Sequence, residues 1–319
     1  MSQPSASVPH LSIVSPCHNE AAGLAELVRR LEAVCRALPS LAAGGYEFVL
    51  VDDGSQDATW SAMQQLAADH PAIVAVKLAR NHGHQLALTA GLSVCRGERI
   101  LIIDADLQDP PELLPEMMRL MDGGADVVYG RRRQRVGEGP LKKLTAAGFY
   151  RLIEKLSDVP IPRDTGDFRL LSRRALDVLL AMPERHRFIR GMVSWIGFRQ
   201  EPILYDRAAR YADATSYNYR KMIRFALDAI TGFSVKPLQL ASIAGFFCGL
   251  LSVGVFIFAV LAWLAGSTVA GWTSLIAVVA ALGSVQLFVL GIMGEYLGRL
   301  YVQSQGRPLF VIEEIKKQP

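Results

Sequence analysis

Two aspartates at positions 104 and 106 form the pattern with the clearest capacity for chemistry. The Asp104-Ala105-Asp106 motif directly follows the apolar run Ile100–Ile103, and Gln108 and Asp109 come next. Carboxylate oxygens at this spacing suit a hard cation such as Mg²⁺ or Mn²⁺ that also holds substrate phosphates. Such a cation would neutralise a leaving diphosphate as a Lewis acid. As a bare pattern the motif is a solvated turn, but its place after a buried strand favours a metal site.

A second acidic motif and a histidine-rich one follow other apolar runs. In Asp52-Asp53-Gly54-Ser55, a carboxylate can accept hydrogen bonds from a ribose hydroxyl or a base N–H. The alternative is a turn in which Asp57 caps the next helix, and the two interpretations are compatible. Asn81-His82-Gly83-His84 precedes a helical segment whose free N–H groups favour a phosphate. A catalytic histidine at position 82 or 84 is the lesser hypothesis, because a loop histidine is more often structural.

Two arginine-containing segments are candidates for binding phosphate. The run Arg131–Arg135 is too dense for a buried element, so it forms either a solvated face or a phosphate site. Its place after the fifth apolar run makes the phosphate site at least as favourable. Gly166-Asp167-Phe168-Arg169 pairs a carboxylate with an arginine inside Asp164–Arg169, which we predict to be an irregular turn.

The elements that position these motifs form an alternating series. Over residues 11–130, short apolar runs alternate with helix-like segments, which predicts an α/β domain with a mostly parallel sheet covered on both faces. The apolar runs are Leu11–Val14, Phe48–Val51, Ile73–Leu78, Ile100–Ile103 and Val127–Tyr129, and the helical segments are Ala22–Leu38, Ala58–Ala68, Gln85–Cys95, Pro111–Met121 and, further on, Leu141–Leu156. Since such sheets bind ligands beyond the carboxyl ends of their strands, the polar motifs should meet at one edge.

The C-terminal part has the composition of a membrane hairpin. Leu238–Leu297 carries one charged residue, Glu295, although 20% of the chain is charged. Within it, segments 238–264 and 272–297 each exceed the roughly 20 residues that cross a bilayer. The loop Ala265–Gly271 lacks lysine and arginine, whereas basic residues flank the hairpin. The positive-inside rule therefore puts both termini and the first domain in the cytoplasm.

The remaining boundaries follow from charge and composition. We predict a flexible N-terminus over 1–10, a globular domain over 11–215 and a cytoplasmic tail over 298–319. Residues 216–237 have the pattern of a basic amphipathic helix, which lies either in the membrane interface or on the domain surface. The four cysteines have no metal-binding spacing, and the net charge of +4 comes with no nucleic-acid motif. Zinc and nucleic acid are therefore disfavoured as ligands.

The strand-end motifs together resemble a known enzyme family. Ser15-Pro16-Cys17-His18-Asn19-Glu20, Val51–Asp57 and Asp104–Pro111 resemble family 2 glycosyltransferases, whose GT-A fold is Rossmann-like with a mostly parallel sheet. More narrowly, they resemble the polyprenyl-phosphate glycosyltransferases related to dolichyl-phosphate mannose synthase. Further matches at Gly166–Arg169 and Gly294–Arg299 extend the resemblance to the bacterial GtrB-like branch, which has two membrane spans.

This resemblance implies roles for individual residues. The implied catalytic residues are Asp106 and Asp167; the nucleotide contacts are Pro16, Glu20, Asp53 and Asp104; the metal ligands are Asp104, Asp106 and Gln108; and the acceptor-phosphate contacts are Arg132, Arg135 and Arg169. The sequence departs from the family pattern at three places, one of which is Gln303 and Gln305, where related chains often have glutamate and lysine. His18 replaces the usual tyrosine, and Asp213–Ser216 replaces a stretch that ends in a phosphate-binding lysine. We therefore expect Arg132 to carry most of the acceptor phosphate.

The resemblance also implies a reaction. An inverting transferase would move a sugar, glucose or a related hexose, from a UDP-sugar to undecaprenyl phosphate or another polyprenyl phosphate at the cytoplasmic membrane face, with Mg²⁺ or Mn²⁺ as cofactor. The acceptor phosphate is already anionic, so the enzyme mainly positions it and stabilises the leaving group. One alternative is a processive polysaccharide synthase, disfavoured because no Gln-x-x-Arg-Trp motif occurs. The other is a non-catalytic membrane scaffold that binds nucleotide sugars. The sequence does not identify the sugar, and it does not decide whether the chain forms a homo-oligomer.

Overall fold

A computed structural model of the chain describes residues 8–41, 45–133, 165–206, 234–266 and 271–318. The predicted helix Leu141–Leu156, Arg135, Asp213–Ser216 and nearly all of the predicted interfacial helix lie outside these residues. The chain divides into two compact units. One comprises Met1–Tyr150, Val159–Asn218 and Arg307–Pro319, and the other comprises Arg151–Asp158 and Tyr219–Gly306.

A mixed sheet of eight strands forms the centre of the first unit, counted over the residues described above. The strands are β1 Leu11–Cys17, β2 Tyr46–Asp52, β3 Ile73–Leu78, β4 Arg99–Ile102, β5 Val127–Arg132, β6 Thr165–Ser172, β7 Gln200–Tyr205 and β8 Ile312–Lys316. Their order is β7-β5-β6-β4-β1-β2-β3-β8. The pairs β1–β2, β1–β4, β2–β3 and β5–β7 are parallel, whereas β6 and β8 run antiparallel to their neighbours. The predicted α/β class with a mostly parallel sheet is confirmed.

Helices cover both faces of this sheet, as the amphipathic segments predicted. They are α1 Leu24–Ala37, α2 Thr59–Asp69, α3 His84–Val94, α4 Leu114–Asp122, α5 Arg173–Ala181 and α6 Ile189–Ile196. The buried faces of α1, α2 and α4 share one core cluster with Ile13 and Leu50. The other face of the sheet carries Val14 and Val51, against which α3 packs. The alternation of side chains along each strand thus supplies two cores.

A glycine sets how closely α3 approaches the sheet. A Cβ atom added at Gly91 would stand 2.5 Å from Val14 Cγ1 and 2.8 Å from Val51 Cγ2, so a larger residue would push the helix away. The close approach brings the first turn of α3, with His84 and Gln85, to the edge where the parallel strands end.

The prediction of an irregular turn at Asp164–Arg169 is wrong. Residues Thr165–Ser172 form β6, an almost fully buried strand between β4 and β5. Phe168 and Leu170 join the core on one face, while Asp167 and Arg169 alternate with them on the other. Two opposite charges that are buried side by side in a strand have the same sequence pattern as a solvated turn, which explains the error.

Two long apolar helices make up the described part of the second unit. These are α7 Lys236–Leu264 and α8 Trp272–Ser304. Each contains a stretch long and apolar enough to cross a membrane, with mean hydropathy 2.5 in α7 and 1.3 in α8. Large side chains such as Phe246 and Leu287 are exposed, unlike those of a core helix in a soluble protein. Glu295, the one charged residue of Leu238–Leu297, forms an ion pair with Arg299 one turn further along α8, at 3.0 Å.

The C-terminal segment differs from the predicted tail over 298–319. Helix α8 continues to Ser304, and Ile312–Lys316 then forms β8 at the edge of the sheet in the first unit. The Ala79 N–H donates to the Val311 carbonyl at 2.9 Å, and Lys77 Nζ lies 3.1 Å from Glu313 Oε1. A strand of five residues is too short for its sequence pattern to be distinguished from that of a tail.

Candidate active site

The loops after β1 and β2 are joined into one unit by hydrogen bonds. Asn19, with φ at +58°, donates its backbone N–H to Ser55 Oγ at 3.0 Å. Its side-chain oxygen accepts from the Gln56 N–H at 2.9 Å. Two of the predicted nucleotide contacts lie here, because Pro16 is buried near the end of β1 and Glu20 is in the following loop. The structure therefore brings both residues to the sheet edge.

Asp53 holds the loop that follows β3. Its two carboxylate oxygens accept from the backbone N–H groups of His82 at 2.7 Å and Gly83 at 2.9 Å. The side chain is buried, so these bonds brace the start of α3. The predicted contact between Asp53 and a nucleotide would have to use the remaining lone pairs. Asp57 accepts from the Thr59 N–H at 3.0 Å, which confirms its predicted capping role.

His18, the residue that replaces the family tyrosine, lies beside this loop. Its Nδ1 is 3.0 Å from the Asp53 carbonyl oxygen and 3.2 Å from Asn81 Nδ2. These contacts hold the imidazole ring in place while the residue stays exposed at the edge.

The carboxylates of the Asp104-Ala105-Asp106 motif differ in their surroundings. Asp106 Oδ1 accepts from the Gln108 backbone N–H at 3.1 Å. Asp104 Oδ1 is buried and has no hydrogen-bond partner within the described parts of the chain. Burial, together with the charges of Asp167, Asp109 and Asp106, raises the pKa of Asp104 to about 6, although His84 opposes the shift. Burial is the largest cause of this shift, and the neighbouring carboxylates add to it.

Asp167 lies in β6, 2% exposed, and is held by an arginine from α6. Arg190 donates from Nε to Asp167 Oδ1 at 2.8 Å and from Nη2 to Oδ2 at 3.2 Å. Gln85 Nε2 donates to Oδ2 at 3.0 Å. Burial by itself would raise the pKa of Asp167, but the charge of Arg190 and the hydrogen bonds from His84 and Arg190 hold it well below its usual range. Asp167 is thus an ionised carboxylate with little capacity as a base at neutral pH.

His84 connects the two carboxylates. Its Nε2 lies 3.4 Å from Asp104 Oδ1 and 3.2 Å from Asp167 Oδ2. Burial disfavours the charged ring, yet the Asp167 hydrogen bond and the two carboxylate charges outweigh it and raise the pKa of His84. The structure places His84, one of the two candidates for a catalytic histidine, between these carboxylates, and its catalytic role stays a prediction. The useful signal was its place at the end of the loop that follows β3, where α3 begins.

A divalent cation fits Asp104 better than Asp167. Ligand atoms of His84, Asp104 and Asp167 all lie within 4.8 Å of one another, the spacing of a possible metal site. However, both oxygens of Asp167 already accept from Arg190, and a cation beside them would face that guanidinium. Asp104 has a buried oxygen without a hydrogen-bond partner among the described residues, and Asp106 follows it closely. The donor set therefore suits a hard cation on the Asp104 side.

The arginines predicted to bind phosphate have different environments. Arg169 is buried in β6, where its Nη2 donates to the Gly166 carbonyl at 3.0 Å and lies 3.9 Å from Asp167 Oδ1. Its guanidinium is engaged inside the protein, so we assign it to the scaffold of the site. Arg132 is half-buried at the end of β5, beside Tyr205. Arg135 lies outside the described residues.

Two residues at the centre of the site escaped the sequence reasoning. Arg190 is 23 positions after Asp167, and Gln85 is 82 positions before it. Neither belongs to a motif with its own chemistry, since arginine and glutamine are common on helix surfaces. Only the packing of α3 and α6 beside β6 identifies them.

Comparison with known proteins identifies the family of the chain. The model of the family described as glycosyl transferase family 2 matches residues 12–180. An uncharacterised glycosyltransferase, YkcC of Bacillus subtilis, is 41% identical over 95% of this chain and 93% of its own. A prophage bactoprenol glucosyl transferase homolog of Escherichia coli is 37% identical, over 96% and 99% of the two chains. The bactoprenol glucosyl transferase of Shigella phage SfV is 36% identical, over 97% and 99%.

Solved structures resemble the chain more distantly. Mannosyl-3-phosphoglycerate synthase from Rubrobacter xylanophilus has a TM-score of 0.45 and 20% identity, covering 70% of this chain and 72% of that one. The sequence relatives are much closer, and they extend over nearly the whole chain. From the family match and from these relatives, the chain belongs to glycosyl transferase family 2.

Proposed function

We propose that the chain is an inverting transferase that moves glucose or a related hexose from a UDP-sugar to a polyprenyl phosphate. The observation that carries the proposal is the near full-length similarity, at 36–37% identity, to relatives named bactoprenol glucosyl transferase or its homolog. Bactoprenol is a polyprenol, so a membrane-bound acceptor agrees with the two apolar helices. The charged strand-end site supplies the groups that such a transfer needs.

The chain's own residues would act mainly by positioning. A lipid phosphate is anionic at neutral pH and needs no base to become a nucleophile. The lowered pKa of Asp167 agrees with a role in holding Arg190 and His84 in place rather than in removing a proton. Attack from the side opposite the departing diphosphate would invert the anomeric carbon. In this scheme most of the rate enhancement comes from orientation and charge stabilisation.

Asp104 and Asp106, with Gln108, would hold the divalent cation. When bound, Mg²⁺ or Mn²⁺ neutralises the charge that develops on a leaving diphosphate. The raised pKa of Asp104 and its buried oxygen without a partner among the described residues support a cation at this position. The predicted ligand role of Gln108 remains a proposal.

A transfer assay tests the reaction. The purified full-length protein is incubated with undecaprenyl phosphate and, separately, with UDP-glucose, UDP-galactose, UDP-N-acetylglucosamine and GDP-mannose. We expect one UDP-hexose to give a sugar-phosphate lipid in the mass spectrum, with inverted anomeric configuration by NMR. A dolichyl phosphate arm tests chain selectivity. Hydrolysis of the donor without a lipid product, or polymer formation on a sugar primer, would contradict the proposed acceptor.

Orientation in the membrane is part of the proposal. The catalytic domain should face the cytoplasm, because nucleotide sugars are made there and the hairpin loop lacks basic residues. A cysteine at Ser267, in a variant with the native cysteines replaced, should react with an impermeant thiol reagent in intact spheroplasts. A cysteine at Gln318 should react only after lysis. Labelling in the opposite pattern would separate the site from cytoplasmic donors.

Arg132 is proposed to bind the acceptor phosphate. Arg132→Ala should raise the KM for the lipid phosphate, or lower kcat, by about ten- to a hundredfold, the effect of losing a charge-assisted hydrogen bond. UDP affinity by calorimetry should barely change. Arg132→Lys should recover only part of the loss, since lysine keeps the positive charge but cannot make the two parallel hydrogen bonds of a guanidinium.

Arg133→Ala is the matched control. The Arg133 side chain is exposed and forms a long surface ion pair with Asp206, at 3.9 Å, so the kinetics of this variant should stay near wild type. An equal loss of UDP affinity in Arg132→Ala would assign Arg132 to the donor instead.

A further inference from the structure

We propose that Tyr205 and Asp109 form a positioning pair that aims the Arg132 guanidinium at the acceptor phosphate. This inference rests on the proposed function, which gives Arg132 that phosphate. Neither Tyr205 nor Asp109 is a substrate contact in this proposal. Both would act through Arg132.

The pair consists of two buried side chains joined by a short hydrogen bond. The Tyr205 hydroxyl donates to Asp109 Oδ1 at 2.6 Å, and both residues are almost fully buried. A phenol has one proton to donate, and here Asp109 accepts it. The phenolic oxygen is therefore left as an acceptor beside the Arg132 guanidinium: a Cβ atom added at Gly166 would stand 3.3 Å from Arg132 Nη2 and 3.9 Å from the Tyr205 hydroxyl oxygen. The contacts run from Arg132 to Tyr205 and from Tyr205 to the Asp109 carboxylate.

The sheet fixes this arrangement from the backbone. The parallel strands β5 and β7 place Arg132 directly opposite Tyr205, and the Arg133 N–H donates to the Tyr205 carbonyl at 3.0 Å. Two glycines leave room for the side chains. A Cβ atom at Gly130 would stand 2.8 Å from Tyr205 Cε1, and one at Gly166 would stand 3.3 Å from Arg132 Nη2. The space around Arg132 and Tyr205 is therefore set by a glycine of β5 itself and by a glycine of the neighbouring strand β6.

The guanidinium that this pair holds retains capacity to bind an anion. Arg132 Nε is buried and has no hydrogen-bond partner in the described parts of the chain. A buried N–H group of this kind is normally satisfied, by protein, water or a ligand. A phosphate oxygen is the strongest acceptor that the proposed reaction brings to this edge.

Asp109 also relates the acceptor arginine to the donor side of the site. It follows Asp104 and Asp106 in the same loop, and its charge contributes to the raised pKa of Asp104. Asp109 would anchor Arg132 through Tyr205. It would thereby hold the acceptor phosphate at a fixed position relative to the leaving diphosphate of the donor. The pair therefore affects the use of the acceptor more than the binding of the nucleotide.

Tyr205→Phe tests the positioning role with the smallest change in volume. We expect the acceptor KM to rise about threefold to tenfold, the loss of one hydrogen bond, with UDP affinity by calorimetry unchanged. Asp109→Asn, which keeps the shape but removes the charge, should shift the acceptor KM in the same direction. Tyr129→Phe is the control, because it removes a tyrosine hydroxyl from β5 outside these contacts and should leave the acceptor KM at its wild-type value.

A double-mutant cycle separates positioning from a purely structural role. If Tyr205 acts through Arg132, the double variant Tyr205→Phe with Arg132→Ala should have the acceptor KM of Arg132→Ala alone. Additive effects, or a Tyr205→Phe protein with a lower melting temperature and an unchanged acceptor KM, would overturn the positioning role and leave the proposed function intact. An Arg132→Ala enzyme with a normal acceptor KM would remove the contact on which the inference rests. A wild-type enzyme that transfers no sugar to polyprenyl phosphate would refute the proposed function itself.

Discussion

Asp104 and Asp167 lie at the ends of neighbouring strands and share His84, yet their pKa values shift in opposite directions. Asp104 has an oxygen without a hydrogen-bond partner among the described residues, and its pKa rises to about 6. Asp167 is more deeply buried, but Arg190, Gln85 and His84 all donate to it, and its pKa falls well below normal. Burial penalises both carboxylates, so the number of nearby donors decides the sign of each shift.

This difference separates a carboxylate that the protein has satisfied from one that awaits a partner. Asp167 is a fixed anion that orders its surroundings, and removing it would leave the buried Arg169 and the half-buried Arg190 without their counter-charge. Asp104 is half-buried, and its buried oxygen has no hydrogen-bond partner among the described residues, which suits a ligand that brings positive charge. The two aspartates therefore make opposite predictions for activity and for stability.

The largest effect should come from removing the cation on the Asp104 side. Asp106→Ala should lower the rate of transfer at least about a hundredfold, the usual effect of losing a charge-stabilising group. EDTA should abolish transfer by the wild-type enzyme, and Mg²⁺ or Mn²⁺ should restore it. The melting temperature in EDTA is the control for loss of fold. Full activity in the chelator would contradict the proposal that Asp104, unlike Asp167, binds a cation.

The second effect is a pair of stability changes with opposite signs. In metal-free protein at pH 7.5, Asp167→Asn should lower the free energy of unfolding by about 3 kcal/mol, because Arg190 and Arg169 lose their buried counter-charge. Asp104→Asn should raise it by on the order of 1–2 kcal/mol, because a carboxylate whose pKa is raised by folding is replaced by a neutral group. Thermal or denaturant unfolding measures both. Destabilisation of similar size in both variants would contradict the contrast.

The pH dependence of this pair follows from the two pKa shifts. Since the pKa of Asp104 is raised from 3.8 to about 6, the folded protein binds more protons than the unfolded one between these values. Its stability therefore falls as the pH rises through that window, and the advantage of Asp104→Asn should be full above about pH 6 and absent near pH 4. The pKa of Asp167 is lowered, so its contribution is present above 3.8 and is lost as the pH falls below it. Unfolding measured at pH 4.5, 6 and 7.5 separates the two aspartates.

The smallest effect tests the geometry of the arginine that holds Asp167. Arg190→Lys keeps the charge but loses the two-point contact, so kcat should fall about threefold to tenfold with little change in UDP affinity. Arg29→Lys is the matched control, because its ion pair with Glu26 lies on the surface and the substitution should leave kcat unchanged. An unchanged kcat in Arg190→Lys would show that charge alone positions Asp167.

Much of this architecture could be predicted from local pattern. The five apolar runs and the first four helical segments correspond to β1–β5 and α1–α4, because hydrophobic periodicity is a property of neighbouring residues. The strand-end motifs predicted the family and the edge at which polar groups meet. The pattern failed at β6, where the charged residues Asp167 and Arg169 resemble those of a turn. It also failed at β8, which is short and far along the chain from its partner strand β3.

By itself, the sequence determined the fold class, the two apolar helices, the family and the position of the acidic motif at the end of a strand. The tertiary structure alone decided the partner of each charge. Arg190 and Gln85 bind Asp167 across 23 and 82 positions, and Tyr205 binds Asp109 across 96. Periodicity and motifs describe residues close together in the chain, whereas a pKa or the aim of an arginine depends on atoms within a few ångströms in space. The sheet brings those atoms together only once it has formed, so the roles of Asp104, Asp167 and Arg132 became distinct only in the fold.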